Sequence, residues 1–178
     1  MATETQGWVS PMRVRNVEES DIQQIKNIAS TAFKLHRYWT DNSLDRKSVE
    51  DYYIAEIDNF KKELSENKDR FNIYVAEDGG QVLGYIVLRI DELLSSAFKQ
   101  RWGIIASFAL RSDSRGKGIG SILLAKALEW FREKGAERID VSTDAENIAA
   151  IQCYEKYGFR TVYAGVTLTK VLEKRARL

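Results

Sequence analysis

Cysteine, proline and histidine are all but missing from this chain: among 178 residues each occurs once, as Cys153, Pro11 and His36. One cysteine excludes an internal disulfide and suits a reducing compartment. Neither sign of charge dominates, with 27 lysines and arginines against 26 aspartates and glutamates. The net charge of +1 gives no basic field of the kind that nucleic-acid binders carry. Long apolar runs are absent too, none approaching the roughly 20 residues of a membrane helix. The opening MATETQGWVSP has neither the basic start nor the apolar centre of a secretory signal. These absences predict a cytoplasmic protein with no nucleic-acid or membrane partner.

A hydrophobic content of 44% is enough for a real core, and the length suits one domain. Residues 1–11 read as a loose leader ending at Pro11, and 12–173 as a single domain without repeats or low-complexity tracts. Met12–Asn16 alternates apolar with basic residues, a first strand. Glu18, Glu19, Ser20 and Asp21 precede Ile22, Ile25, Ile28 and Ala29, which predicts a helix to about Phe33 with negative charge at its positive dipole end. Residues 35–44, LHRYWTDNSL, are aromatic and irregular. From Asp45 to about Leu64 the apolar positions Val49, Tyr53, Ile57, Phe60 and Leu64 recur at helical spacing. Phe71–Ala76 and Gln81–Ile90 read as strands about the turn Asp78-Gly79-Gly80. Residues 91–99 form a connection of undetermined shape. Arg138–Thr143 is a strand, Asn147–Tyr157 a helix closed by Gly158, and Thr161–Val171 a last strand. The KRAR run near the terminus reads as a solvated tail. The order β-α-α-β-β-β-α-β-α-β predicts a mixed sheet with helices on both faces.

The centre of this organisation is the stretch 105–120, IASFALRSDSRGKGIG. Ile104–Leu110 reads as a strand buried on both faces. Arg115-Gly-Lys-Gly-Ile-Gly120 then leads into a helix with a wide apolar face: Ile122, Leu123, Ala127, Leu128, Trp130 and Phe131. Strand, glycine-rich turn and helix start together make an anion-binding device. The glycines admit a close ligand, and the free N–H groups and dipole of the first helical turn favour negative charge. The spacing is neither GxxxxGK[ST] nor GxGxxG. It fits [RQ]xxGx[GA], which resembles the acetyl-CoA pyrophosphate loop of the GCN5-related N-acetyltransferases. A second match, Asn147-xx-Ala150-xxx-Tyr154-xxx-Gly158-Phe159, resembles the next motif of that family in the same order.

The resemblance implies an α/β (mixed α+β) fold whose central sheet has six to seven strands flanked by about four helices. It implies acetyl-CoA as co-substrate, with no metal, and direct attack by a primary amine within a ternary complex. Arg115, Gly116, Lys117, Gly118, Ile119 and Gly120 would hold the phosphates, Lys117 being free to point to solvent. Phe108, Ala109 and Leu110 would offer backbone groups to the pantetheine arm, an N–H near Leu110 stabilising the oxyanion. Asn147 and Tyr154, seven residues apart, would share one helix face. Asn147 would bind pantetheine amides and Tyr154 would protonate the departing thiolate, since tyrosine, with a pKa near 10, stays neutral at pH 7. Cys153 would point elsewhere as a packed thiol.

The general base stays open. Protein-acetylating relatives of the ribosomal-protein type carry a glutamate where this chain has Ser142. His36 lies in the aromatic loop expected to line the acceptor site; a water chain, Asp41, Asp140 or Asp144 are alternatives. For the acceptor, Leu35-His36 and YWTDNSLDRKSVEDYY resemble the first segment of nucleotide-linked amino-sugar N-acetyltransferases of the dTDP-fucosamine type, and Val166–Lys170 is similar to their closing run. A protein or peptide amine, or a polyamine met by Glu50, Asp51, Glu56 and Asp58, are the competing acceptors. A non-catalytic acetyl-CoA-binding module is the reading from another class. The protein is expected to act as a monomer or homodimer.

Overall fold

Each of the two middle strands is apolar on both sides, so helices must cover both faces of the sheet. That is the arrangement in the computed structural model, which describes residues 12–172. Strands β1 (Arg13–Asn16), β2 (Phe71–Asp78), β3 (Gln81–Asp91), β4 (Trp102–Leu110) and β5 (Arg138–Val141) lie in that order across one sheet. The first four pair antiparallel, and β5 joins β4 in parallel. Along β2, Phe71, Ile73 and Val75 turn to one face, while Tyr74 and Ala76 turn to the other.

The first face is covered by α1 (Ile22–Ala32) and α3 (Arg46–Glu66), joined by the single turn α2 (Arg37–Thr40). The stripe Val49, Tyr53, Ile57 and Phe60 of α3 is buried as its spacing predicts. Asp45 caps that helix, its carboxylate accepting from the Ser48 N–H at 2.9 Å. The second face is covered by α5 (Ile119–Glu133) and α6 (Ile148–Glu155). Helix α5 lies close on β4 because Gly103 has no side chain: a Cβ there would stand 2.6 Å from the Phe131 ring. Residues left unassigned in the sequence form α4 (Glu92–Phe98), capped by Asp91.

β1 is tied to the helical layer by a buried ion pair. Arg15 donates to both oxygens of Asp21, at 2.6 and 2.9 Å, and Asp21 also accepts the Glu18 N–H at 2.8 Å. Burial works against the Asp21 carboxylate, but the Arg15 and Glu18 hydrogen bonds outweigh it and hold its pKa below the usual range.

Two expectations are corrected. The sheet has five strands among the described residues, not six to seven, and six α-helices accompany it rather than about four. The missing strand is Thr161–Val171. Those residues are exposed and form no regular element, and none bonds its backbone to another described residue. Alternation of Val166 and Leu168 with Thr167 and Thr169 suits a strand, but a strand also needs a partner edge. The leader 1–11 and the KRAR run lie outside the described residues.

Candidate active site

β4 and β5 run together only from the pair Trp102–Arg138 to the pair Ile105–Val141. There β5 ends, while β4 continues to Leu110. A bulge falls at the same place: Val87 faces Ser107 and Leu88 faces Ile105, leaving Ala106 as the extra residue. A bulge bends its strand and sharpens the local twist. Beyond it the side of β4 away from β3 has no partner strand. Alternate N–H and C=O groups of an antiparallel strand point away from its neighbour, so part of the backbone of 106–110 faces the gap. This explains why Ala106, Phe108 and Leu110 are only half-buried, where the sequence predicted burial on both faces. The gap is the floor of a cleft of about 740 Å³, a size typical of small-molecule sites.

One end of the cleft is the start of α5. Gly118, the residue before the helix, has φ +80°, a left-handed conformation that only glycine adopts readily. The Ile122 N–H bonds the Gly118 carbonyl at 3.2 Å. The N–H groups of Ile119, Gly120 and Ser121 therefore precede the helical ladder and are free for an anion. Arg115, Gly116, Gly118 and Gly120 line the cleft. Arg115 donates to the Ala32 carbonyl at 3.3 Å, tying the loop to the end of α1. Lys117 is exposed and off the cleft wall, and the Ile119 side chain is buried in the core. Gly120 is not required by packing: a Cβ there would meet Leu110 and Phe108 at 3.5 Å, ordinary contact.

α6 forms the wall beside this loop. Asn147 is not on the helix but caps it, with Oδ1 accepting the Ala150 N–H at 3.3 Å. The shared helix face expected of Asn147 and Tyr154 is therefore replaced by a cap at one end and a helical residue at the other, and both line the cleft. The cap uses Oδ1 and leaves the side-chain NH₂ to donate. The Tyr154 ring is held between Phe108 and Phe159, centroids 6.3 and 5.6 Å away. Its hydroxyl bonds no described residue, and Tyr154 lines the cleft. Burial pushes the phenol pKa well above its ordinary value, so the group stays protonated. Cys153, expected to point elsewhere, also lines the cleft. Burial raises its thiol pKa, with Ser121 and Lys156 opposing.

The other end is aromatic. The His36 Nδ1 and the Tyr53 hydroxyl lie 2.9 Å apart, and Phe33 stacks on Tyr53 at 4.9 Å. Of the base candidates, His36 and Asp144 line the cleft, as does Ser142. Asp41 turns to Ser43 and Asp140 pairs with Arg138, so neither reaches it. The residue that sequence reasoning undervalued is Glu56. Of the acidic helix face, Asp51 pairs with Lys47 and Asp58 with Lys26. Of Glu50, Asp51, Glu56 and Asp58, Glu56 alone lines the cleft. A signal was present: 56 is seven residues after Val49 and four before Phe60, so a carboxylate occupies the inward stripe of α3.

Known proteins resemble this chain in sequence and in fold. The model of the Acetyltransferase (GNAT) family matches residues 24–159. The chain is 31% identical over 156 residues to an N-alpha-acetyltransferase of Sulfurisphaera tokodaii, covering 84% of this chain and 81% of that one. It is 25% identical over 158 residues to an uncharacterized N-acetyltransferase of Methanocaldococcus jannaschii, covering 89% of this chain but 65% of that relative's length. The aminoglycoside acetyltransferase AAC(6')-Iy, solved with a bisubstrate analogue of CoA and acetylneamine, shares the fold at a TM-score of 0.61 and 16% identity, covering 92% of this chain and all of that one.

Proposed function

Because the chain belongs to the acetyltransferase (GNAT) family, we propose that it moves the acetyl group of acetyl-CoA to a primary amine by direct attack in a ternary complex. The observation that carries this reading is the parting of β4 and β5 where the start of α5 and Tyr154 both line the same cleft. The free N–H groups of Ile119, Gly120 and Ser121, with Arg115, suit a pyrophosphate. Gap-facing backbone between Phe108 and Leu110, with the Asn147 amide, suits the amides of the pantetheine arm. A β4 N–H aimed at the gap would stabilise the oxyanion as the amine nitrogen bonds to the acetyl carbon. The carbon–sulfur bond then breaks, and Tyr154 gives its proton to the departing thiolate. Lys117 contributes by its backbone at most.

For the acceptor, the named activity of the Sulfurisphaera relative supports the α-amine of a peptide. The amino-sugar nucleotide reading rests on residues 35–53 and 166–170. Leu35, His36, Tyr52 and Tyr53 from the first stretch line the cleft. The second stretch stands exposed and off the cleft wall, which weighs against that reading. A thiol-release screen with acetyl-CoA decides. Peptides, polyamines, amino-sugar nucleotides and matched alcohols are offered in turn. Release with an amine class is expected. Release with alcohols alone would contradict the mechanism, and acetyl-CoA binding without any turnover would make the protein a binding module.

A further inference from the structure

Glu56 is the one carboxylate of α3 that faces the cleft without a cation. It makes no hydrogen bond or ion pair with a described residue, and it stands among aromatic side chains. Tyr52 and Tyr53 stand one turn before it on the same helix and line the cleft with it, as does His36, and Tyr85 of β3 is close enough for its phenol to feel the Glu56 charge. The Tyr85 hydroxyl lies 3.1 Å from the Ser107 Oγ, and Ser107 is next to the β4 bulge. α3 covers one face of the sheet and α6 the other, and Glu56, Tyr154 and the parted end of β4 all line the same cleft.

We propose that Glu56 binds the acceptor's ammonium group and takes its proton, which makes the preferred acceptor a cationic primary amine with an apolar or aromatic body. This rests on the acetyl-transfer reading above. A half-buried carboxylate with no partner is costly unless a cation joins it. The Tyr52 ring, exposed and on the cleft wall, suits a cation and the hydrocarbon beside it. An alkylamine is mostly protonated at pH 7 and cannot attack until it loses a proton. Transfer of that proton to the Glu56 carboxylate leaves the nitrogen lone pair free. The nitrogen bonds to the acetyl carbon, the carbon–sulfur bond breaks, and the thiolate takes the Tyr154 proton. The resulting tyrosinate recovers a proton from the new amide nitrogen, and Glu56 releases its own to water, so one proton leaves per turnover. Burial raises the Glu56 pKa, which brings it closer to that of the amine and makes it a better base than an ordinary carboxylate. His36 and Tyr53 hold each other, and Lys34, Arg37, Tyr38 and Asp144 are the other titratable or charged groups at this end of the cleft.

The test compares wild type, Glu56→Gln and Glu56→Asp with tyramine, spermidine and a short peptide bearing a free α-amine, across pH. Glu56→Gln should lower kcat/KM for the accepted amine by about 100-fold at pH 7. The deficit should shrink as pH rises and the amine deprotonates in solution, and Glu56→Asp should recover part of the rate. The thermal shift given by acetyl-CoA should be the same in all three. Activity of Glu56→Gln within about twofold of wild type, with an unchanged pH profile, overturns the proposal. A wild type that binds acetyl-CoA yet acetylates none of the three overturns the proposed acceptor class. No acetyl-CoA shift at all overturns the acetyl-transfer reading itself.

Discussion

Tyr154 shows how far a residue's chemistry can be read before its surroundings are known. Its type and its place in the motif point to a proton donor, but its environment comes from distant chain segments: Phe108 on β4 and Phe159 after α6. Tyr154→Phe keeps this ring packing and removes only the donor. We expect kcat to fall more than about tenfold, equivalent to about 1.4 kcal/mol, with little change in KM for acetyl-CoA. The measurement needs conditions where chemistry limits the rate. Burial raises the phenol pKa, so the proton is retained above the ordinary tyrosine value near 10. The group should therefore produce no falling limb in kcat below that pH; a limb lost specifically in the mutant would contradict this. Glu56 was harder to read. In sequence it is one of several acids on a polar helix, and only its register with Val49 and Phe60 marks it as turning inward.

At the scale of elements, local signals carried most of the reading. The stripe on α3, the Gly79-Gly80 turn and the strand–loop–helix around Gly118 all depend on neighbours a few residues away. Pairings between distant elements were less legible. Glu18, Glu19, Ser20 and Asp21 mark a helix start, yet nothing local shows that Asp21 is buried against Arg15 of β1. Asp21→Asn leaves the arginine without its charge partner and should cost about 3 kcal/mol. Because the folded-state pKa of Asp21 is lowered, its contribution is complete above the unfolded value of ~3.9 and is lost as pH falls through the folded one. Urea denaturation between pH 7 and pH 2 should show a steeper acid loss in wild type than in Asp21→Asn. Parallel curves would mean the pair adds nothing to stability.

At the scale of the whole molecule, topology decides what sequence patterns can become. The alternation in Val166–Lys170 suits a strand, but in the structure it pairs with no edge, and the family match ends at residue 159, before this stretch. The opening between β4 and β5 is also a property of the whole sheet: it needs β5 to stop at Val141, β4 to bulge at Ala106 and α5 to start beside both. No single segment encodes it. Its proposed use is tested most directly by the melting temperature with and without acetyl-CoA, in wild type and Gly120→Val. Ligand at ~100 times its Kd stabilises the folded state by about 2.7 kcal/mol, and for a domain of this size each kcal/mol moves Tm by roughly 2–4 °C. Gly120 lines the cleft and a Cβ there makes only ordinary contacts, so the valine variant should lose the acetyl-CoA shift, its own melting temperature without ligand serving as the control for folding. A full shift in Gly120→Val would contradict the placement of the phosphates at the start of α5, and no shift in wild type would contradict the account as a whole.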